Sequence, residues 1–366
     1  MRTLGTLASI AALTLPASAL HAQDENAESE RTLPERVYVQ LETTEGDILL
    51  ELNNEKAPIS VENFVRYVED DHYDNTVFHR VIGNFMIQGG GFTTAGVQKE
   101  TRDGIKNEWQ NGLKNEKYTI AMARLGGQAD SATSQFFINV TDNVFLDQPR
   151  DGAGYAVFGE VIAGQSVVDA IKAVRTTVKN GMRDWPIEDV VITDAAVLSK
   201  SEADELSAEL NKEAERMRLE AQREAKERWT TQLAQAMETL RGKDIDVDAG
   251  AINDETENWA LVLEDGDGAM PDGPADIVSV HATGWLTDGT KFWSSYDTGA
   301  PAQFGLNQVI KGWGAAVQQM KVGEKRLVVI PAENAYGAAG RQGPGGEMVI
   351  PQNAALIFEI ELIDLP

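Results

Sequence analysis

The sequence of 366 residues predicts a mainly β protein of two domains joined by one long α-helix. Three observations carry that expectation. Runs such as VYVQLET and DILLEL early in the chain, and EKRLVVIPA and AALIFEIELIDL near its end, are rich in β-branched residues and separated by glycine or asparagine turns. Between these regions, from Ile187 to Arg241, there is neither glycine nor proline. The length also exceeds what one core usually spans, about 100 to 200 residues.

Residues 1–22 read as an export signal. Arg2 precedes the apolar run LASIAALTL, Leu7 to Leu15, and Pro16 is followed by the small-residue stretch ASALHA, which offers cleavage after Ala19 or Ala22. That run is too short to span a bilayer, and no later segment is apolar enough to do so. The expected mature protein is exported, periplasmic or secreted, with no membrane insertion. Residues 23–36 are polar and predict a flexible tether. The first folded domain is expected over 37–198, the helix over 199–243 and the second domain over 244–366.

Within 199–243, Leu206, Leu210, Ala214, Met217, Ala221, Ala225, Trp229, Leu233, Met237 and Leu240 recur at steps of three and four, the period of one helix face. Ser199 is placed as N-cap with Glu202 three residues on, and Gly242 stands where such a helix would stop. Glu224 and Arg228 have the spacing of an ion pair on its polar face. The stripe has three uses open to it: a solvated spacer, a surface on which a domain docks, or a homodimer seam through 199–243. Elsewhere, VENFVRYVED and QSVVDAIKAV have helical spacing, and LNQVIKGWGAAVQQM reads as one helix in the second domain.

Composition excludes several functions. There is no cysteine, so disulfides, thiolate catalysis and cysteine-held metals are absent. The net charge of −26, acidic in both halves, opposes nucleic acid and anionic membranes, whose partners neutralise phosphate with Lys and Arg. The four histidines, His21, His72, His79 and His281, are scattered, EDGDGAMPDG lacks the ligand spacing of a calcium loop, and the glycine clusters lack phosphate-loop spacing. No metal and no cofactor is expected. NVT at Asn139 fits a glycosylation consensus but falls in a run expected to be a buried strand.

FHRVIGNFMIQGG from Phe78 to Gly90, then IAMARLGGQADSATSQFFINVTDNVFLD and GYAVFGEV, in that order, resemble the cyclophilins, peptidyl-prolyl isomerases built on an eight-stranded antiparallel barrel. The resemblance covers about residues 37–198. It implies that Arg80, Phe85, Met86, Gln88, Ala123, Phe137 and Leu146 occupy the active-site positions. Phe145 stands where the eukaryotic pattern has tryptophan and Tyr155 where it has histidine, which implies weaker binding of cyclosporin-like inhibitors with catalysis kept. The chemistry agrees. Rotation of a peptide bond meets a barrier of about 18 to 20 kcal/mol because nitrogen shares its lone pair with the carbonyl. A catalyst therefore needs neither nucleophile nor metal, only a slot for the prolyl ring and a group that favours the twisted amide. Arg80, permanently charged, can donate to the prolyl nitrogen more strongly once that lone pair is regained. Phe85, Met86, Phe137 and Leu146 form the ring pocket, and Gln88 orients the preceding carbonyl. His79 has no role in such a reaction and is read as structural.

ADIVSVHATGWLTDGTKFWSS, QVIKGWGAAVQQMKVGEKRLVVIPAENAYG and MVIPQNAALIFEIELIDL resemble the FKBP family, an unrelated class of prolyl isomerases with an α+β fold in which a bent antiparallel sheet wraps one helix. The resemblance covers roughly 276–366. It implies a proline pocket lined by Phe292, Val309, Ile310, Trp313, Tyr336, Ile350 and Phe358, with Trp313 as floor and Tyr336 donating to a substrate carbonyl. Three positions depart from that pattern: Ala282 replaces a tyrosine, Trp293 an aspartate and Ala302 a phenylalanine. Trp293 either fills the vacated volume or blocks the site.

The sequence thus predicts an exported, two-site peptidyl-prolyl cis-trans isomerase that assists folding of unfolded or proline-containing polypeptides, with a weakened second site. The alternative is a periplasmic holdase or scaffold that binds unfolded chains and dimerises through the helix.

Overall fold

A computed structural model describes residues 32–149, 152–253 and 255–366. The export signal and the tether as far as residue 31 lie outside the described residues. The chain divides into two compact units between Glu215 and Arg216.

In the first unit, β1 (Arg36–Thr43) and β2 (Gly46–Asn53) form a hairpin, followed by α1 (Pro58–Glu69). Pro58 suits the first turn of α1, where its missing N–H would have had no partner. Val61, Phe64, Val65 and Val68 then recur on one face and are buried. The strands continue with β3 (Thr76–Val77), β4 (Arg80–Ile82), β5 (Met86–Gly89), β6 (Thr119–Met122), β7 (Phe136–Asn139) and β8 (Val157–Ala163). After α2 (Gln165–Ile171) come the hairpin β9 (Thr176–Lys179) and β10 (Met182–Pro186), and finally β11 (Val191–Leu198).

Nine of these strands form one sheet in the order β3-β11-β1-β2-β8-β6-β7-β5-β4. Its two edges, β3 and β4, are separated in sequence only by Phe78 and His79. A single pass of chain therefore pairs with β11 at one end and with β5 at the other, which curls the sheet onto itself. Counted as passes, the nine segments are the eight strands that the sequence predicted.

Strand alternation divides the side chains into two sets. Val39, Leu41, Ile48, Leu50, Val81, Ile87, Ile120, Phe136, Ile138 and Phe158 join α1 in the interior. Met86, Ala121, Phe137 and Val157 point the other way into a separate apolar cluster. Tyr38, Leu49 and Ala163, also on the outer surface, receive Ala203, Leu206 and Leu210 from α3 (Lys200–Arg241).

α3 starts with a capping box: the Ser199 backbone N–H donates to Glu202 Oε2 at 2.8 Å, and the Glu202 N–H donates to Ser199 Oγ at 3.3 Å. At its other end, Gly242 still donates to Glu238, and the left-handed residue that follows the helix is Asp244 rather than the glycine. Arg228 pairs with Glu333 at 3.2 Å, a partner far outside the Glu224 spacing that the helix period suggested.

The second unit contains β12 (Ala251–Ile252), β13 (Trp259–Glu264), β14 (Ile277–Leu286), β15 (Lys291–Ser294), β16 (Ala302–Gly305), α4 (Lys311–Val317), β17 (Lys325–Ile330), β18 (Arg341–Gln342), β19 (Met348–Ile350) and β20 (Leu356–Asp364). Its sheet runs β12-β13-β17-β20-β14-β15, with β16 also on β14. One face packs on α4: Val328, Ile330, Phe358, Ile360 and Leu362 meet Trp313, Ala316 and Val317. The opposite face is covered by the last turns of α3, where Trp229, Leu233, Ala236, Met237 and Leu240 meet Leu327, Val329, Ile357 and Trp285.

The single helix predicted over LNQVIKGWGAAVQQM is not formed. A short 3-10 turn, Leu306–Gln308, is followed by extended backbone at Val309 and Ile310, and α4 begins only at Lys311. Close packing accounts for the two glycines inside α4. A Cβ on Gly312 would lie 2.4 Å from Ile330, and one on Gly314 would lie 2.8 Å from the Leu306 carbonyl.

Two ends of the apolar stripe on α3 are thus buried, each on its own unit, while Met217 in the middle is 56% exposed. Leu240, at 1% exposure, is part of the second unit's core. Leu240→Ala is expected to destabilise that unit by about 2 to 5 kcal/mol in urea unfolding followed by tryptophan fluorescence. Met217→Ala should stay within about 0.5 kcal/mol of the parent.

Candidate active sites

In the first unit the site lies on the outer surface of the curled sheet, across β4, β5, β7 and β6. Register does the placing. Arg80 pairs with Gln88, Ile82 with Met86, Gln88 with Phe137, and Phe137 with Ala121. Residues two apart on a strand share a face, so Met86 and Gln88 stand side by side with Arg80 beyond them. Met86, Phe137 and Leu146 are buried, and Phe85, Ala123 and Tyr155 pack against them half-buried. Phe145 is 43% exposed, its ring stacked on Phe85 at 5.6 Å. Tyr155 meets Phe137 edge-on at 5.7 Å. All nine residues assigned from the sequence therefore fall on one patch: an apolar floor, an aromatic lip and a guanidinium at the margin, its Cζ 6.0 Å from the Phe85 ring centroid.

Several neighbours escaped the sequence reading. Gln88 Nε2 donates to Gln135 Oε1 at 2.9 Å, which fixes which end of the Gln88 amide faces the patch. Gly91 leaves room for this, since a Cβ there would come within 2.5 Å of the Gln135 side chain. Beneath the lip runs a buried amide network. Asn143 Nδ2 donates to the Phe85 carbonyl and to Asn139 Oδ1, both at 2.8 Å. Asn139 donates to Asn115, and Asn115 donates to Asp147 at 2.9 Å. This ties Phe85 to the 3-10 turn Val144–Asp147 that carries Phe145 and Leu146. Asn139, the residue of the glycosylation consensus, is fully buried in this network.

In the second unit, Trp313, Ile350 and Phe358 are buried in the α4 face of the core, and Phe292, Val309, Ile310 and Tyr336 pack on them half-buried. All seven assigned residues share that cluster. The break before α4 matters here, because extended Val309 and Ile310 stand at the rim instead of being wound into a helix. Phe292 and Phe358 meet edge-on at 5.6 Å over Gly284, where a Cβ would lie 2.5 Å from Phe292. Trp293 packs edge-on against Phe304 at 6.0 Å, and Phe304 against Trp313 at 5.8 Å. Trp293 thus extends an aromatic wall that ends on Trp313. Ala282 is fully buried, its N–H donating to Ser295 Oγ at 2.9 Å. Tyr336 Oη accepts from Arg341 Nη1 at 3.1 Å, which leaves its own proton available to a ligand. No helix among the described residues is long and apolar enough to cross a membrane.

Each unit therefore presents an apolar, aromatic-lined patch with a few polar donors on a rigid sheet, the form of a site that holds an extended peptide. Comparison with known proteins agrees. Residues 38–197 match the family described as cyclophilin type peptidyl-prolyl cis-trans isomerase, and residues 271–363 the family described as FKBP-type peptidyl-prolyl cis-trans isomerase. The chain is 55% identical over 163 residues to peptidyl-prolyl cis-trans isomerase cyp18 of Streptomyces antibioticus, covering 44% of this chain and 98% of that protein. It is 49% identical over 162 residues to peptidyl-prolyl cis-trans isomerase B of Escherichia coli, covering 43% and 98%. In its second half it is 45% identical over 107 residues to FK506-binding protein 1 of Kluyveromyces lactis, covering 29% and 90%. The chain belongs to the peptidyl-prolyl cis-trans isomerases, with a cyclophilin-type domain followed by an FKBP-type domain.

His79, beside Arg80, is buried against Phe92 at 4.6 Å and Trp185 at 6.1 Å, and its Nδ1 has no partner. Burial, with the nearby Arg80 charge adding to it, lowers its pKa to about 4. His72 is lowered by burial and by Lys99. His79 is held neutral in the fold, so the unfolded chain binds more protons as pH falls from 6.5 towards 4, and stability drops through that window, with His72 acting in the same direction. His79 accounts for up to about 3 kcal/mol of the drop. His79→Phe, which keeps an aromatic ring against Phe92, is expected to flatten the loss between about pH 7 and pH 4.5 in urea midpoints.

Proposed function

We propose that the protein is exported and speeds cis-trans rotation of X-Pro bonds in unfolded or proline-containing polypeptides, chiefly at the cyclophilin-type site. The observation that carries this reading is Arg80, set by register opposite Gln88 at the edge of the Phe85, Met86, Phe137 and Leu146 floor. The prolyl ring enters that floor. Gln88, held by Gln135, orients the carbonyl before the proline. As the amide twists, its nitrogen pyramidalises and regains a lone pair, and the guanidinium donates to it. Because that acceptor is absent in the planar amide, the interaction lowers the barrier rather than merely tightening binding. Export rests on residues 1–22; the tether expected over 23–36 is shorter at its far end, since Leu33 packs on the core and Arg36 opens β1, paired with Asn53.

The FKBP-type site works by another route. Its wall of Phe292, Trp313 and Phe358 offers an apolar cleft that favours the less polar twisted amide, with Tyr336 donating to the substrate carbonyl. Trp293, joined to that wall through Phe304, favours a second reading for this domain: it binds extended peptide well and turns it over slowly. A holdase function of this kind is compatible with catalysis at the first site. Dimerisation through 199–243 would rest on the middle turns around Met217 and Ala221, since the ends of the stripe are already covered.

Arg80→Ala in the full chain is expected to lower isomerisation of an X-Pro peptide at least about tenfold, by comparison with the loss of one transition-state donor. The remainder is the turnover of the FKBP-type site together with what the first site keeps. In that Arg80→Ala background, Trp293→Asp is expected to raise the remaining turnover about threefold or more while weakening peptide affinity, if the indole trades transition-state for ground-state binding. Unchanged turnover together with unchanged affinity would remove Trp293 from the site.

A further inference from the structure

Arg80 has a companion on a part of the fold that neither assigned site includes. The β9–β10 hairpin packs beside β4, and Asp184 on β10 brings Oδ2 to 3.9 Å from Arg80 Nε. The backbone that delivers it is unusual. Pairing between β9 and β10 is irregular from Met182 to Trp185, and Asp184 sits in the left-handed region, φ 61°, which non-glycine residues seldom adopt.

Trp185, the next residue, shows what holds the hairpin in that form. Its side chain is fully buried, and its indole N–H donates to Asp189 Oδ1 at 2.6 Å. Lys179 bonds both oxygens of the same Asp189, at 2.9 and 2.8 Å, and its ammonium lies 5.0 Å from the Trp185 ring centroid. The indole also packs on His79 and Phe92, so the hairpin is anchored to the residue next to Arg80. With Trp185 turned inward, Asp184 is turned out, to where the guanidinium emerges.

We propose that Asp184 is a positioning residue for the cyclophilin-type site: it attracts the Nε edge of Arg80 so that the two terminal nitrogens face the prolyl slot. At 3.9 Å the pair is a charge contact and not a hydrogen bond, so it biases the guanidinium without consuming a donor that the twisted amide needs. Both side chains are about 40% exposed, which sets the effect at the modest size of a solvated ion pair. The proposal rests on Arg80 acting as described above.

The test is a double-mutant cycle on the full chain, measuring kcat and KM for one X-Pro peptide with the parent, Asp184→Asn, Arg80→Ala and the double variant. Asparagine tolerates the left-handed conformation, so the hairpin is kept. Asp184→Asn is expected to lower kcat about two- to fivefold with KM unchanged, an effect that shrinks in about 1 M salt and vanishes in the Arg80→Ala background. Normal loss in Arg80→Ala with an inert Asp184→Asn overturns this proposal alone, as does an equal fall in both backgrounds. Parent-like turnover in Arg80→Ala overturns the active-site reading and this proposal with it.

Discussion

Both domains depend on sheets whose two faces are covered. In the first, strand alternation sends Ile87, Ile120, Phe136 and Ile138 into the barrel and Met86, Ala121 and Phe137 outward. The inner set fixes the backbone; the outer set, on the same strands, becomes the floor of a site. A one-residue slip in β5 would exchange the two sets and bury Gln88 in the interior, so the core and the site enforce one register. The second sheet is covered on one face by α4 and on the other by α3.

Polar groups finish what packing begins. The chain of amides from Asn115 through Asn139 and Asn143 to the Phe85 carbonyl satisfies buried donors and also pins the lip of the first site. Leaving any one of these amides unpaired in a dry interior carries a cost of about 1 to 3 kcal/mol, which makes the network demanding as well as stabilising. Arg80, in contrast, is left half in solvent, with aromatic surface on one side and a carboxylate on the other.

Much of this was legible in the residues. The strand runs, the capping box at Ser199 and Glu202, and the clustering of Arg80 with Phe85, Met86 and Gln88 follow from period, capping chemistry and the order of motifs. The run LVVI in β17 also carried a signal that went unread: it does not alternate, which is the mark of a strand buried on both faces. The helix expected over Leu306–Met320 was misjudged because helical period cannot distinguish a continuous helix from a turn, an extended step and a short helix whose apolar residues face the same core.

The sequence by itself determined the classes of its two domains and the long helix between them, because those depend on local period and on motif order along the chain. Only the tertiary structure decided that the two ends of the helix stripe are spent on the two cores, that Gln135 steadies Gln88, and that Asp184 stands beside Arg80. Each of these joins residues dozens of positions or more apart, and a contact of that kind exists only once the sheet has curled and the hairpin has docked.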